Sequence, residues 1–368
     1  MRPIIRLEAF CLAFQGWMLA DPLLTPRTGR CAVTNSTPSS RSILRHVQTW
    51  VTVLLLPALM ALAGPAWAAA PRYAAFMVDA NTREVLYTNA PDELRHPASL
   101  TKMMTLYLTF DALEAGRLRI TDPVTVSRHA ASMAPSRLGL AVGQSISVDN
   151  AISVVAVKSA NDIAVALAEK LGGTESAFVD MMNAKARLLG MRNTHFANAC
   201  GLTDPTNVTT ARDLAILSLA LVHDHPRFYR YFGERNFVWQ RSTLINHNHL
   251  LGKMAGLDGI KTGYTVDAGF TLAASALRGD RRLIAVVLGE PSLAERNRDA
   301  AALLEAGFSV LDRRVLGQAV TVASVLPMLA HPALRVEPPV EQGASDDGAR
   351  PPRSRVHHHR RGRVHGRL

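Results

Sequence analysis

Strand-like apolar runs occur at the beginning and at the end of residues 75–289, and helical patterns occupy the sequence between them. Short apolar runs bounded by turn-forming residues are typical of strands, and five of them occur at residues 75–79, 84–87, 257–263, 269–277 and 282–289. The first two flank Ala80-Asn81-Thr82-Arg83 and the last two flank Arg278-Gly279-Asp280, so each pair predicts a hairpin. This order predicts an α/β (α+β) fold, in which helices flank an antiparallel sheet and a helical subdomain is inserted between its strands.

Apolar residues at helical spacing predict the helices of this fold. The predicted helices cover about residues 100–113, 150–171, 174–189 and 298–308. Gly172-Gly173 separates the second helix from the third, because paired glycines interrupt helices. Ser99 precedes the first helix, at a position where a side-chain oxygen typically caps free backbone N–H groups.

The charge of the chain is concentrated at its two ends. The formal net charge is +11, of which residues 1–68 contribute +4 and residues 350–368 contribute +7, so that residues 69–349 are neutral. A neutral middle excludes a nucleic-acid-binding groove, which requires a basic patch on the folded domain. With 48% hydrophobic and 19% charged residues, the chain is also too apolar to be mainly disordered.

A secretory signal is predicted within residues 1–68. Two arginines precede the apolar run at residues 50–63, and small residues ending in Ala66-Trp67-Ala68 follow it. Basic, apolar and A-x-A parts in this order are typical of a signal that is cleaved after Ala68. A membrane-spanning helix is the alternative, but the run is shorter than the roughly 20 apolar residues such a helix needs. Residues 1–40 lie outside the signal pattern, so we expect translation to start further downstream.

Export would place the mature protein in the periplasm, where it could remain associated with the cytoplasmic membrane. Residues 69–315 contain all the predicted helices and strands and form the predicted domain. Residues 316–368 begin with a short apolar segment and continue as a basic tail rich in Pro, Arg and His, a composition typical of disorder. Peripheral contact of this tail with anionic lipid or wall polymer is the alternative to a solvated tail. We predict no metal site at His357-His358-His359, because no Cys or carboxylate accompanies this run.

Only six of the 41 basic residues are lysines. Arginine does not lose its proton near neutral pH, whereas a buried lysine can. Lys102 follows Ser99 by one helical turn, so the two side chains share a helix face. Desolvation would lower the pKa of Lys102 and allow it to take the Ser99 proton, the pairing that a nucleophilic serine needs. Taken alone, this S-x-x-K pattern is a weak signal, and the alternative is a capping serine beside a solvated lysine.

Two further motifs follow along the chain. Ser159-Ala160-Asn161 lies near the start of a helical pattern, where Ser and Asn are also common caps. Lys261-Thr262-Gly263 lies on a strand-like run, where the missing side chain of Gly263 would allow a ligand to approach the backbone. Each motif is weak by itself. In this order, however, they correspond to the S-x-x-K, S-D-N and K-T-G set of penicillin-binding proteins and class A β-lactamases, with Ala160 in place of the Asp.

Beyond these motifs the chain resembles the D-alanyl-D-alanine carboxypeptidases, which are low-molecular-mass penicillin-binding proteins of the β-lactamase/transpeptidase-like superfamily. The resemblance runs from about Ala74 to Phe308 and includes His96–Met104, Lys158–Asp162, Asn193–Phe196, Gly201–Asp204, Thr209–Asp213, Asn246–Asn248 and Asp258–Thr265. It implies a serine-type carboxypeptidase that removes the terminal D-alanine from peptidoglycan stem peptides. It also implies covalent inhibition by β-lactams and no need for a cofactor or metal.

The resemblance implies a role for each site residue. Ser99 would attack the penultimate carbonyl with Lys102 as its base, and Ser159 and Lys261 would pass a proton to the leaving amine. The substrate-binding residues would be Asn161, Thr262, Gly263, Tyr264 and His247. Among these, Thr262 would bind the terminal carboxylate, and the backbone N–H groups of Ser99 and Tyr264 would hold the oxyanion. His247 is either a further carboxylate contact or a structural histidine, and His195 and Cys200 are predicted to be packing residues.

Three alternatives are kept beside this prediction. An endopeptidase that cuts peptide cross-links shares the family motifs. A class A β-lactamase uses a Glu after the second motif to release the acyl group, but no Glu occurs between Glu175 and Glu234. We therefore predict that penicillin remains attached to Ser99. A non-catalytic wall-binding protein is disfavoured because the Ser, Lys and Asn of the motifs are all present.

Overall fold

The structure is a computed structural model that describes residues 73–329. The predicted signal, its cleavage site, the downstream start and the basic tail lie outside these residues. The strands within them are β1 (Ala74–Asp79), β2 (Val85–Asn89), β3 (Pro123–Thr125), β4 (Ser145–Ser147), β5 (Asn236–Trp239), β6 (Ser242–Ile245), β7 (Leu257–Thr265), β8 (Gly269–Arg278) and β9 (Arg281–Glu290). The helices are α1 (Thr101–Glu114), α2 (Arg128–Ala131), α3 (Val148–Val157), α4 (Asn161–Gly172), α5 (Glu175–Leu189), α6 (Ala211–Asp224), α7 (Leu293–Val315) and α8 (Val322–Leu329).

The central sheet contains the five strands that the sequence predicts. Their order is β2-β1-β9-β8-β7, and every neighbouring pair is antiparallel. β1 pairs with β9, so the first strand of the domain lies beside the last one, and Phe76 is opposite Val286. β7, which carries the K-T-G motif, lies at one edge of the sheet. The predicted antiparallel sheet with helices inserted between its strands is confirmed.

Both faces of the sheet are apolar, because successive side chains of a strand point to opposite faces. In β1, Phe76 and Val78 belong to one buried cluster, while Ala75 and Met77 belong to another. The first cluster includes residues of α1 and α3 to α6, and the second includes residues of α7 and α8. Helices therefore cover the sheet on both sides.

The helical pattern predicted over residues 150–171 is divided into α3 and α4. Lys158-Ser159-Ala160 separates the two helices, and Ser159 has a φ of 61°. This left-handed conformation cannot continue a right-handed helix, and the apolar spacing alone does not reveal it. The break coincides with the second sequence motif.

Two other helix boundaries differ from the predictions. Ser99 lies inside a 3₁₀ turn (Ala98–Leu100) that precedes α1, and no side chain caps α1. The prediction of Ser99 as a cap is therefore wrong. α7 extends beyond the predicted residues 298–308, because Ser292 accepts a hydrogen bond from the backbone N–H of Glu295 and starts the helix earlier.

No helix within residues 73–329 combines the length and the apolar character that crossing a membrane requires. The apolar segment after residue 315 forms α8, whose first residues pack against the second cluster through Val322 and Val325.

Candidate active site

Ser99 and Lys102 lie side by side at the start of α1, as their one-turn spacing predicts. Lys102 is fully buried, and its Nζ is 3.0 Å from Ser99 Oγ. Nζ also donates to Asn161 Oδ1 at 2.7 Å and to the Cys200 carbonyl at 2.5 Å. The last two acceptors have no proton to give. When Lys102 is neutral, its two N–H groups serve these acceptors and its lone pair is directed at the Ser99 hydroxyl.

The surroundings of Lys102 favour the neutral amine. Burial lowers the pKa of Lys102 to about 8, although the charges of Cys200 and Asp162 counteract part of this effect. A lysine in water has a pKa of about 10.4. Near neutral pH a useful fraction of Lys102 is therefore able to accept the proton of Ser99.

One motif serine lies at a strained point of the backbone, and the other directly follows one. Ala98, next to Ser99, has a φ of 49°, and Ser159 has a φ of 61°. Non-glycine residues in this region cost free energy and concentrate at functional sites. Ser159 is buried, and its hydroxyl has no hydrogen-bond partner among the described residues. A buried hydroxyl without a partner is available to a bound ligand.

Asn161 is held in one orientation at the first turn of α4. Its Nδ2 donates to the Ala134 carbonyl at 2.8 Å, so its Oδ1 is turned to Lys102. The backbone N–H of Asn161 donates to the Ser136 carbonyl, and the Asp162 carboxylate accepts two backbone N–H groups of the same loop. The loop therefore fixes the amide whose oxygen accepts a hydrogen bond from Lys102.

The K-T-G motif on β7 lies directly beside Ser99. A Cβ atom at Gly263 would be 2.9 Å from the backbone N of Ser99 and 2.6 Å from Thr271 Oγ1, so a side chain at this position would collide with the turn that carries Ser99. Lys261 is buried and donates to the Thr262 carbonyl at 3.0 Å. Burial, and then the charge of Lys102, lower the pKa of Lys261 well below its ordinary value.

These residues surround a cleft of about 350 Å³ between the edge of the sheet and the helical layer. Seven predicted site residues line it, namely Ser99, Ser159, Asn161, His247, Thr262, Gly263 and Tyr264. Lys102 and Lys261 are buried and hydrogen-bond to lining residues. The described residues that line the cleft include no Asp or Glu, and no group of three His, Cys, Asp or Glu side chains within residues 73–329 could hold a metal ion.

Arg296 on α7 lines the cleft and is absent from the sequence prediction. It is 3% exposed, and its guanidinium donates to the Asn297 side chain and to the His247 carbonyl. Neither acceptor is charged, so this buried cation has no carboxylate partner among the described residues. Burial lowers its pKa only to about 10, which leaves it charged. No sequence pattern marks Arg296, because it lies near the start of α7, before the residues over which the periodicity predicts this helix.

The contacts of His247, and of the two predicted packing residues His195 and Cys200, test their interpretations. His247 lines the cleft, where desolvation and then the charge of Lys261 lower its pKa to about 4. It is therefore neutral at physiological pH. His195 is exposed, with Nδ1 2.9 Å from the Thr206 carbonyl, so its prediction as a packing residue is wrong. Cys200 is buried as predicted, but its carbonyl also holds Lys102.

The chain is similar to known proteins. A family model described as D-alanyl-D-alanine carboxypeptidase matches residues 65–292, which is more than half of the chain. The chain belongs to this family. It is 40% identical over 238 residues to D-alanyl-D-alanine carboxypeptidase DacD of Escherichia coli, a match that covers 63% of this chain and 61% of that protein. The chain thus spans about three fifths of the length of the curated carboxypeptidases it matches.

Solved structures of the family have the same fold. Penicillin binding protein 5 of Haemophilus influenzae superposes with a TM-score of 0.63 at 36% identity, covering 67% of this chain and 73% of that one. Penicillin-Binding Protein D2 of Listeria monocytogenes, in its ampicillin-bound form, superposes with a TM-score of 0.60 at 31% identity, covering 67% of this chain and 100% of that one. The predicted membership of the D-alanyl-D-alanine carboxypeptidase family is confirmed.

Proposed function

We propose that this protein is a serine-type D-Ala-D-Ala carboxypeptidase that removes the terminal D-alanine from peptidoglycan stem peptides. The observation that carries the proposal is the fully buried Lys102, whose Nζ is 3.0 Å from Ser99 Oγ and whose other two acceptors cannot donate. This arrangement suits a serine nucleophile activated by a neutral lysine. Membership of the carboxypeptidase family supports the same reaction.

Acylation begins when Ser99 Oγ attacks the carbonyl of the penultimate D-alanine and Lys102 takes its proton. The developing oxyanion is held by the backbone N–H groups of Ser99 and Tyr264. The close approach of Gly263 to the Ser99 nitrogen supports this role, because it brings the end of β7 next to the nucleophile. Ser159 and Lys261 then deliver a proton to the leaving D-alanine amine.

The substrate carboxylate is bound at the end of the cleft formed by Thr262 and Arg296. Arg296 is a buried guanidinium without an anionic partner among the described residues, and a terminal carboxylate supplies that partner. Lys261 adds positive potential nearby. The requirement for a free carboxylate favours a chain-end peptide over an internal one.

Penicillin acylates Ser99 and stays attached for minutes or longer. Rapid hydrolysis of the acyl group in class A β-lactamases depends on a carboxylate that activates water. The described residues lining the cleft include no carboxylate. The Listeria relative has an ampicillin-bound form, which supports β-lactam binding by this chain.

The enzyme works in the periplasm after export by the signal within residues 1–68. Its substrate is part of the cell wall, which agrees with export.

The test is mass spectrometry of the full-length protein incubated with a stem pentapeptide ending in D-Ala-D-Ala. We expect the loss of one alanine, and we expect Ser99→Ala to abolish it. If the pentapeptide is unchanged while a cross-linked muropeptide is cut, the enzyme is an endopeptidase and the carboxylate assignment is wrong. If neither substrate changes and a fluorescent penicillin does not label Ser99, the protein is not an acyl-transferring enzyme.

A further inference from the structure

A short segment of residues 198–201, the Lys102-binding segment, packs against the first turns of α1. It contributes two backbone carbonyls to that helix. The Ala199 carbonyl accepts a hydrogen bond from Thr105 Oγ1 at 2.6 Å, and the Cys200 carbonyl accepts one from Lys102 Nζ at 2.5 Å. The segment lies outside the regular helices and strands, so other contacts must fix these carbonyls.

The backbone N–H groups of the segment show what fixes it. Those of Cys200 and Gly201 donate to Asn198 Oδ1, within the segment itself. The N–H of Ala199 donates instead to Glu175 Oε1 at 2.9 Å. Glu175 therefore ties the Lys102-binding segment to another element, the start of α5.

Glu175 is well placed to act as a tether. Its side chain is 15% exposed, and its second oxygen lies 2.6 Å from Nε2 of His129. Thr174 already caps α5 through the N–H of Ala177, so the helix does not depend on Glu175 for its cap. The residue lines a surface cavity of about 490 Å³ that shares no lining residue with the catalytic cleft. Replacing it removes a tether without emptying the apolar core.

We propose that Glu175 is a positioning residue for Lys102 and acts through the Lys102-binding segment. By holding the Ala199 N–H, it keeps the Cys200 carbonyl on Lys102 Nζ. This role rests on the proposed function, since the direction of the Lys102 lone pair matters only if Lys102 is the base for Ser99.

The chemical consequence follows from the number of partners around Nζ. A neutral amine has two N–H groups and one lone pair. With Asn161 Oδ1 and the Cys200 carbonyl both fixed, the lone pair is directed at Ser99. If the carbonyl moves, the amine can rotate and the lone pair loses this direction. Misplacement of a reacting group by about 1 Å can lower a rate by about 100-fold.

The experiment measures how fast a fluorescent penicillin acylates Ser99 in the full-length protein, per acylable site, from pH 5 to 10. The variants are Glu175→Ala and Glu175→Gln, with Glu169→Ala as the matched control. Glu169 lines the same cavity, but its carboxylate binds Ser127 and makes no hydrogen bond to the Lys102-binding segment. Thr105→Val loosens the same segment from the side of α1 and provides an independent variant.

We expect Glu175→Ala to lower the rate constant by about 10- to 100-fold. We also expect the pH midpoint of its profile to move downward, because an ammonium that loses a carbonyl acceptor is less stabilised in its charged form. The variant leaves the other charged or polarisable groups near Lys102 Nζ unchanged. These are Cys200, Asp162 and the cation Lys261. Glu175→Gln keeps an oxygen for the Ala199 N–H and should remain close to the wild-type rate, as should Glu169→Ala.

Thr105→Val should shift the rate in the same direction as Glu175→Ala. The role is overturned if Glu175→Ala lowers only the acylable fraction or the melting temperature, while the rate per site and the pH midpoint stay at wild-type values. Failure of the wild-type protein itself to be acylated overturns the proposed function, and this role with it.

Discussion

Lys102 has an unusually complete set of contacts for a single side chain. It is fully buried, it has three acceptors within 3.0 Å, and the environment lowers its pKa to about 8. Burial destabilises the charged ammonium, so that the neutral amine of Lys102 is available as a base near neutral pH.

The rate of Ser99 acylation should therefore rise with pH through a midpoint near 8, because only neutral Lys102 takes the serine proton. Lys102→Arg should lower the rate by about 10²- to 10⁴-fold, since a guanidinium keeps its proton. Labelling by a fluorescent penicillin across this pH range measures both effects. A flat profile for the wild-type protein would show that Lys102 is not the base.

Arg296 should contribute mainly to recognition of the substrate carboxylate. We expect Arg296→Gln to lower kcat/KM for the pentapeptide by about 10- to 100-fold, which corresponds to a hydrogen bond with a charged group. Arg298→Gln is the control, because that side chain is 66% exposed on the same helix and pairs with Asp299. Equal losses in both variants, or an unchanged Arg296→Gln, would contradict this role. A pentapeptide with an amidated C-terminus should be a poor substrate for wild type and variant alike.

At the scale of elements, the connections around the cleft are as important as the helices and strands. Gly201 has a φ of 83°, and a Cβ atom there would lie 1.9 Å from the Ala98 carbonyl oxygen. This glycine allows the Lys102-binding segment to contact the turn that carries Ser99.

Gly201→Ala should lower both stability and the rate of Ser99 acylation, because the methyl group would push that turn away. Gly190→Ala is the matched control, since Gly190 has a φ of 85° with nothing within 4 Å of its Cβ position. Both variants carry the backbone penalty of about 1–2 kcal/mol for a left-handed alanine. Thermal unfolding and penicillin labelling of both variants should therefore distinguish the effect of the collision from the conformational penalty of a left-handed alanine. Equal behaviour would mean that the turn adapts freely.

The connection between α3 and α4 should show a conflict between stability and activity. Ser159 combines a φ of 61° with a buried hydroxyl that has no partner among the described residues. Glycine removes both costs, so Ser159→Gly should raise the free energy of unfolding by about 1–3 kcal/mol. It should also abolish most turnover of the pentapeptide, because the proton path to the leaving amine is lost. A less stable variant would show that the hydroxyl has a structural role instead.

The sequence predicts the regular elements better than these connections. Apolar runs bounded by turns predict all five strands of the sheet, because a buried strand consists of apolar residues that are consecutive in the sequence. The break at Ser159 is not predicted, since the apolar spacing of residues 150–171 continues through it. Arg296 and Glu175 make hydrogen bonds with residues that are distant in the sequence. Local sequence patterns do not predict such contacts.

At the scale of the whole molecule, the topology explains why motifs up to about 160 residues apart form one site. β7 is an edge strand, and the inserted helices bring the start of α1 and the start of α4 to that edge. An edge strand leaves one side of its backbone without a strand partner, so a peptide substrate can lie beside it. The cleft is thus placed where the sheet and the helical layer meet.

Two buried groups outside the cleft bind protons more tightly in the folded protein than in the unfolded chain. Burial and the neighbouring Asp299 carboxylate raise the pKa of Glu290 to about 8. Burial alone would lower the pKa of His225, but hydrogen bonds with Asp111 and Glu114 outweigh it and raise the pKa above its ordinary value.

Both shifts have the same sign for stability. A group whose pKa is raised by folding stabilises the protein below its unfolded pKa and loses that contribution as the pH rises through its folded pKa. The contribution of Glu290 to the free energy of unfolding should therefore fall between about pH 5 and pH 8, the interval from its ordinary pKa to its folded value. Glu290→Gln keeps the shape and a donor for Asp299 but does not titrate, so its stability should fall less steeply over the same interval. Chemical denaturation at several pH values measures both slopes, and identical slopes would show that Glu290 is already ionised in the folded protein.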